Sequence, residues 1–102
     1  MKNILTITLL TSGLLAGSSA LASEDLAKAK NCLACHSAER KIVGPSYKDI
    51  TAKRAAEKGA EAALAAKIKN GSKGEWGQVP MPPNAVSDAE AATLAKWVMT
   101  HK

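Results

Sequence analysis

Large aromatic side chains are almost absent from this sequence of 102 residues, which has no phenylalanine, one tyrosine and two tryptophans. Such side chains supply much of the buried area of a small domain, and alanine makes up much of the apolar content that remains. A domain of this size buries only about 60% of its unfolded surface or a little more. We therefore expect a large apolar group at the centre, and we predict a largely unfolded chain without it.

Long hydrophobic runs are also missing, apart from one near the N-terminus. The run Ile4–Leu15 follows a short basic segment and precedes the small residues Ala20-Leu21-Ala22. It is too short to span a bilayer, which takes about 20 apolar residues, and the pattern is typical of a secretory signal peptide. An uncleaved anchor is the alternative, but no basic stop-transfer flank follows. We predict a signal peptide over 1–22 and one domain over 23–102, without a membrane span and located in the periplasm.

Acidic residues are fewer than basic ones, 9 against 14, for a formal net charge of +5. The basic residues are spread along the chain with few aromatics between them, which disfavours nucleic-acid binding. An acidic protein partner or a solvated surface fits better. Four lysines are candidates for the partner-facing surface: Lys28, Lys30, Lys41 and Lys48.

Cysteine is limited to Cys32 and Cys35, in the segment Cys-Leu-Ala-Cys-His. A disulfide is the usual outcome in an exported protein, but one across so small a loop stabilises little. C-x-x-C-H is the attachment site of a c-type haem. Two thiols on one turn can reach the two vinyl groups of one porphyrin, and His36 can then ligate the iron.

The second axial ligand has three candidates, Met81, Met99 and His101. Met81 lies between prolines in the segment 79–84, which holds it rigid and extended. Met99 is interpreted as a packing or surface residue and His101 as a solvated side chain; ligation by His101 would lower the potential. Met81 as an ordinary gap-filler is the alternative. Ligation by His36 and Met81 would close the iron to substrates and so disfavours catalysis.

Four helices and no strand are predicted. They span 23–31, 47 to about 56, 60 to about 69, and a last helix that a capping box at 87–90 opens and that continues to about 100. A thiol–disulfide oxidoreductase would need a βαβ context for its cysteines, which is missing. A haem sensor or peroxidase would need an open iron site. Cyanide and peroxide reactivity would separate these alternatives from an electron carrier.

Six blocks of sequence, in this order and spacing, resemble the small class I bacterial cytochromes c of the c-551 type. The blocks are C-L-A-C-H at 32–36, V-G-P-S-Y-K-D-I at 43–50, K-I-K-N-G at 67–71, W-G-Q-V-P-M-P-P-N at 76–84, V-S-D-A-E at 86–90 and L-A-K-W-V at 94–98. The resemblance implies an all-α class I cytochrome c fold with about four short helices wrapped around one covalently bound haem c. It implies an electron carrier and not an enzyme.

The resemblance also implies roles for single residues. Cys32 and Cys35 would carry the thioethers, and His36 and Met81 would be the axial ligands. Four further residues complete the site. The Pro45 carbonyl would accept a hydrogen bond from the His36 ring, and Asn84 would bond near the Met81 sulfur. Trp76 and Lys67 would hold propionates. The alternatives are that Trp76 is a packed aromatic and Asn84 a turn residue.

The implied partners are redox proteins that bind transiently and in a salt-sensitive way to a monomer. A quinol:cytochrome c oxidoreductase would be the donor, and nitrite reductase, cytochrome c peroxidase or a terminal oxidase the acceptor. The sequence departs from the family at Ala27, where a large apolar residue is common, and at Arg54, where an aromatic is common. Both departures predict looser or different packing around the first two helices.

Overall fold

The computed structural model describes residues 18–102, and it contains four α-helices and one turn of 3₁₀ helix. The elements are α1 (Ser18–Ala29), the 3₁₀ turn (Cys32–Ala34), α2 (Tyr47–Arg54), α3 (Ala60–Asn70) and α4 (Asp88–Val98). Within this part of the chain, β structure is limited to two isolated bridges, His36 with Lys41 and Ser72 with Met81. The predicted all-α fold is confirmed.

Helix α1 differs most from its predicted bounds. It begins at Ser18 and not at Ser23, so it runs through the predicted cleavage point after Ala22. Ser23 is a buried residue inside the helix. The helix ends at Ala29, two residues early, because Asn31 adopts a left-handed backbone with φ of 61°. The predicted signal peptide lies mostly outside the described residues and stays a prediction.

Local caps define the other helices. The Ser46 side chain accepts a hydrogen bond from the Asp49 backbone at the start of α2. At the start of α4, Ser87 and Glu90 form a capping box, in which each side chain bonds the other residue's backbone N–H. Two orphan backbone donors are satisfied in this way. Helices α2 to α4 therefore begin at the predicted residues and end within about two residues of the predicted ends.

The core lies between α4 and the other helices. Helix α4 packs most extensively on α3 and also contacts α1 and α2. One buried cluster joins α2, α3 and α4, and a second joins α1 to α4. The Thr51 hydroxyl donates to the Val98 carbonyl at 2.8 Å, which fastens α2 to the end of α4. No helix within 18–102 is long and apolar enough to cross a membrane.

The two departures from the family pattern are both buried. Ala27 has no exposed surface and belongs to the same cluster as Val86, Ala91 and Leu94. Arg54 is also buried, and its guanidinium group pairs with two carboxylates. The packing at Arg54 is therefore different and not looser, because an ion cluster occupies the position.

Candidate functional site

An apolar cavity of about 200 Å³ lies between the helices and two loops. Seven of the eight residues that the sequence predicts for the site line this cavity, and Asn84 is the exception. The seven are Cys32, Cys35, His36, Pro45, Lys67, Trp76 and Met81. Core side chains from α2, α3 and α4 form much of the rest of the wall: Tyr47, Ile50, Leu64, Ile68, Leu94 and Val98.

The 3₁₀ turn brings the two thiols to this cavity. The backbone N–H groups of Cys35 and His36 both donate to the Cys32 carbonyl, at 3.2 and 3.0 Å. Residues three apart eclipse one another in a 3₁₀ turn, so both sulfurs lie on the same side. Both cysteines are free thiols in the structure.

Burial raises the pKa of the Cys32 thiol above its ordinary value, and the charge of Cys35 acts in the same direction. A redox-active thiol needs the opposite, a lowered pKa that supplies the thiolate. The protein environment therefore disfavours the thiol–disulfide oxidoreductase alternative.

The orientation of the His36 ring is set by a backbone carbonyl. Its Nδ1 lies 2.7 Å from the Pro45 oxygen. Because a carbonyl can only accept a hydrogen bond, Nδ1 carries the proton in this pair. The other ring nitrogen, Nε2, then keeps its lone pair for a metal. The neighbouring Tyr47 ring stacks at a centroid distance of 5.4 Å and restricts ring rotation.

Gly44 explains how the 41–45 loop can lie so close to His36. A Cβ atom at this position would be 2.6 Å from the His36 Cε1 atom and 3.0 Å from Nδ1. Real Cβ contacts essentially never come that close. Glycine is therefore needed here for close approach and not for an unusual backbone angle.

Met81 lines the same cavity from the segment 72–84, which we call the Met81 loop. Ser72 and Met81 exchange two backbone hydrogen bonds, of 3.0 and 2.7 Å, which close the base of the loop. Gly71, at the end of α3, has φ of 86°, and a Cβ there would lie 2.7 Å from the Met81 carbonyl oxygen. These contacts fix the backbone of Met81, whose side chain is half-buried.

Neither Met99 nor His101 is among the described residues that line the cavity. The expectation that His101 is solvated is wrong. Its Nδ1 lies 2.9 Å from the Val98 carbonyl oxygen, and its ring packs edge-on against Trp97 at 4.6 Å and beside Tyr47 at 5.0 Å. The last turn of α4 folds the chain end back onto this aromatic cluster, which the sequence pattern does not reveal.

The sequence also predicts Lys67, Trp76 and Asn84 for the site, and each of them contacts another residue of the chain. The Lys67 Nζ atom lies 2.8 Å from Glu75 Oε2, and the Trp76 ring lies under the Lys53 ammonium group at 4.5 Å. The side-chain amide of Asn84 donates to the Ile68 carbonyl at 2.8 Å, and not to the expected Met81 sulfur. Asn84 stands where the chain leaves the Met81 loop beside α3, so its nearest acceptor is a backbone oxygen of α3.

Three polar side chains at the cavity were not predicted from the sequence: Tyr47 and Arg54, which are buried, and Glu75, which is partly buried. Arg54 and Glu75 form an ion pair there, and hydrogen bonding by Lys67, with the charges of Arg54, Lys67 and Lys53, lowers the pKa of Glu75. The Tyr47 hydroxyl and the Arg54 Nε atom are buried without a hydrogen-bond partner in the described part of the chain. Burial raises the pKa of Tyr47. The one sign of this cluster in the sequence is that Arg54 stands where an aromatic residue is common in the family.

The groups at this cavity fit a haem. Two free thiols, an imidazole with a free nitrogen and a thioether are the donors that a covalently attached haem needs. The wall is largely apolar, and the unpartnered Tyr47 and Arg54 donors could satisfy polar substituents of the bound group.

The family model described as "Cytochrome c" matches residues 21–102. The chain is 56% identical to cytochrome c-551 of Pseudomonas aeruginosa over 104 aligned positions, which cover 100% of both chains. It is 60% identical to cytochrome c-551 of Azotobacter vinelandii over 79 positions, 78% of this chain and 96% of the relative. The crystal structure of wild-type cytochrome c552 from Nitrosomonas europaea matches with a TM-score of 0.75 and 59% identity, covering 78% of this chain and 99% of that one.

Proposed function

This chain belongs to the cytochrome c family, and we propose that His36 and Met81 are the axial ligands of a haem that Cys32 and Cys35 hold through thioethers. The family and its relatives make it an all-α class I cytochrome of the c-551 type with one covalently bound haem c. It is an electron carrier and not an enzyme.

The haem supplies one-electron chemistry, and the protein supplies ligands, burial and hydrogen bonds. His36 presents Nε2 because Pro45 holds the Nδ1 proton. Met81 presents a thioether, which favours the reduced iron and raises the potential. The hydrogen bonds at the base of the Met81 loop and the stacked Tyr47 ring keep both ligands in place. Because both ligands are held in place, the site should reorganise little when the haem gains or loses an electron.

One observation carries the ligand assignment: His36, Met81 and both cysteines line the same cavity. Filling both axial positions with protein side chains excludes substrates from the iron. If the proposal is right, the chain is therefore neither a haem sensor nor a peroxidase.

Redox proteins are the partners that the family implies, and we propose that they dock where the cavity wall is exposed. Val43 and Val79 line the cavity and are 50% and 68% exposed, and exposed Lys41 lies on the same wall. Lys28 and Lys30 instead pair with Glu24 and Glu90 of this chain, and Lys48 lies outside the cavity wall. An apolar contact with basic neighbours suits a weak, salt-sensitive encounter with an acidic partner.

We further propose that the chain loses residues 1–22 on export and acts in the periplasm as a monomer. Its donor would be a quinol:cytochrome c oxidoreductase, and its acceptor a nitrite reductase, a cytochrome c peroxidase or a terminal oxidase. Purification from periplasm, N-terminal sequencing and electron-transfer rates with each acceptor at several salt concentrations would test this assignment.

Substitution of Met81 by alanine tests the axial ligand. We expect Met81→Ala to retain extraction-resistant haem, to lose the long-wavelength sulfur-to-iron band and to bind cyanide readily. The potential should fall by on the order of 0.1 V, within the roughly 0.8 V range that axial ligands set. Visible spectroscopy and redox titration measure these changes.

Met99→Ala is the matched control, because it removes a thioether that lies outside the cavity wall. It should keep both the sulfur band and the potential. A native potential in Met81→Ala, or loss of the band in Met99→Ala, would refute the assignment.

A further inference from the structure

The tip of the Met81 loop, residues 76–80, lines the cavity and belongs to neither buried core cluster of the described residues. Residues 76–80 are all exposed, and the two hydrogen bonds between Ser72 and Met81 close only its base. A loop of this kind opens locally at a low free energy unless something else holds it. Opening of the tip would leave the Ser72–Met81 pair at the base to hold Met81, and release of that pair would let Met81 leave the cavity.

Glu75 connects the first half of this loop to the helices, whereas Asn84 bonds its far end to α3. The Glu75 Oε1 atom pairs with Arg54 Nη2 and lies 3.5 Å from Lys53 Nζ, both on α2. Its Oε2 atom lies 2.8 Å from Lys67 Nζ on α3. One carboxylate therefore joins the loop to two helices at once.

The setting makes this ion cluster stronger than a surface salt bridge. The Arg54 side chain is 7% exposed and that of Glu75 is 19% exposed. Poorly solvated charges interact more strongly and are costly to leave unpaired. A second carboxylate, that of Glu57 just after the end of α2, also binds Arg54. The Arg54 Nη1 atom donates to both of its oxygens, at 3.0 and 2.9 Å. The guanidinium group of Arg54 is thus held by Glu57 as well as by Glu75.

The adjacent residue adds to the connection. Trp76 lies under the same Lys53 ammonium group that approaches Glu75, with 4.5 Å from Nζ to the ring centroid. Cation–π contacts of this kind are attractive at the surface as well. Two consecutive residues of the loop therefore contact α2.

We propose that Glu75 is a positioning residue for Met81, which it keeps at the cavity by holding the tip of the loop to Arg54, Lys53 and Lys67. The proposal rests on the axial role of Met81 proposed above. Glu75 is not a ligand of the iron. It acts on Met81 only through the loop. Its removal should raise the rate at which Met81 leaves the iron while the helices stay folded.

Glu75→Gln tests this role, because it removes the charge and keeps the size of the side chain. Glu57→Gln is the matched control: it removes the other carboxylate bound to Arg54, but Glu57 lies just after α2 and outside the loop. The measurement is the rate of cyanide association with the oxidised holo-protein, together with the sulfur-to-iron band and the thermal midpoint from circular dichroism.

We expect cyanide to bind Glu75→Gln about tenfold faster than wild type, and Glu57→Gln within about twofold of wild type. The sulfur band of Glu75→Gln should disappear at a lower temperature than its helical signal. Equal acceleration in both variants would show that Arg54, and not the loop, is affected, and would overturn the proposal. Wild-type rates in Glu75→Gln would overturn it as well.

Glu75→Asp covers the case in which the glutamine variant yields no holo-protein. It keeps the charge but shortens the reach by one methylene, and we expect an acceleration of at least about threefold, since ion pairs depend on geometry. No acceleration would again overturn the proposal. Met81→Ala separates this result from a failed ligand assignment: a sulfur band that persists in Met81→Ala refutes the ligand, whatever Glu75 does.

Discussion

Single residues around His36 decide whether the imidazole can present its free nitrogen. The Pro45 carbonyl holds the ring from one side, and the Tyr47 ring stacks on it. Gly44 completes this arrangement by having no side chain. Each contact depends on atoms within eleven residues of His36, so this side of the site is local in sequence.

Gly44→Ala should disturb this side of the site. The added Cβ would meet the His36 ring at 2.6 Å, so the ring or the loop must shift. We expect a loss of about 1–3 kcal/mol in the free energy of unfolding, as for overpacked cores, and a displaced His36 N–H resonance. Denaturant unfolding and proton NMR of the reduced protein measure both effects.

Gly74→Ala is the comparison variant, because no atom lies within 4 Å of its added Cβ although its φ of 82° also favours glycine. It should cost stability through backbone strain alone and leave the His36 resonance in place. Equal costs in the two variants, with an unmoved resonance in both, would contradict the close-approach explanation for Gly44.

At the scale of elements, the helix starts follow from short sequence signals. Ser46 and Ser87 each cap the helix that the sequence predicts for them, because an N-cap bond reaches only two or three residues. The start of α1 was not predictable in this way. Helix-forming residues lie on both sides of Ser23, so nothing local ends the helix there.

Ser87→Ala should weaken α4, the helix on which the others pack. Loss of the cap costs about 1 kcal/mol of the free energy of unfolding. The backbone N–H of Ser87 also lowers the pKa of Glu90. That contribution is present above the ordinary carboxyl range and is lost as the pH falls through the lowered pKa.

Thermal unfolding of wild type and Ser87→Ala between pH 7 and about pH 3 measures both effects. Ser87→Thr should retain most of the cap and serves as the control. If Ser87→Ala unfolds at the wild-type temperature throughout, the Ser87 hydroxyl contributes nothing to stability, since the variant keeps the backbone N–H that donates to Glu90.

At the scale of the whole molecule, the core and the cofactor cavity share their walls. Tyr47, Ile50, Leu64 and Leu94 are buried core residues, and all four line the cavity. A chain with so few large aromatics has little else to bury. Haem attachment and folding should therefore be linked, because a group that binds only the folded chain stabilises it.

The haem-free chain is accordingly expected to be largely unfolded. A Cys32→Ala/Cys35→Ala variant, purified without haem, should show less than about half the helical signal of the holo-protein and no cooperative thermal transition. Circular dichroism measures both. Cys32→Ser/Cys35→Ser controls for the thiols themselves and should behave alike. A native helical signal with a sharp transition in either variant would show that the core suffices by itself.

The sequence by itself determined the haem attachment motif, the helix caps and the family blocks, because each depends on residues a few positions apart. Only the tertiary structure decided which residues around the cavity contact one another over long separations in sequence. Glu75 meets Arg54, Asn84 bonds to α3, and His101 packs on Tyr47, across separations of 16 to 54 residues. Such pairings depend on how the helices pack around the cavity, and no local pattern of residue types specifies that arrangement.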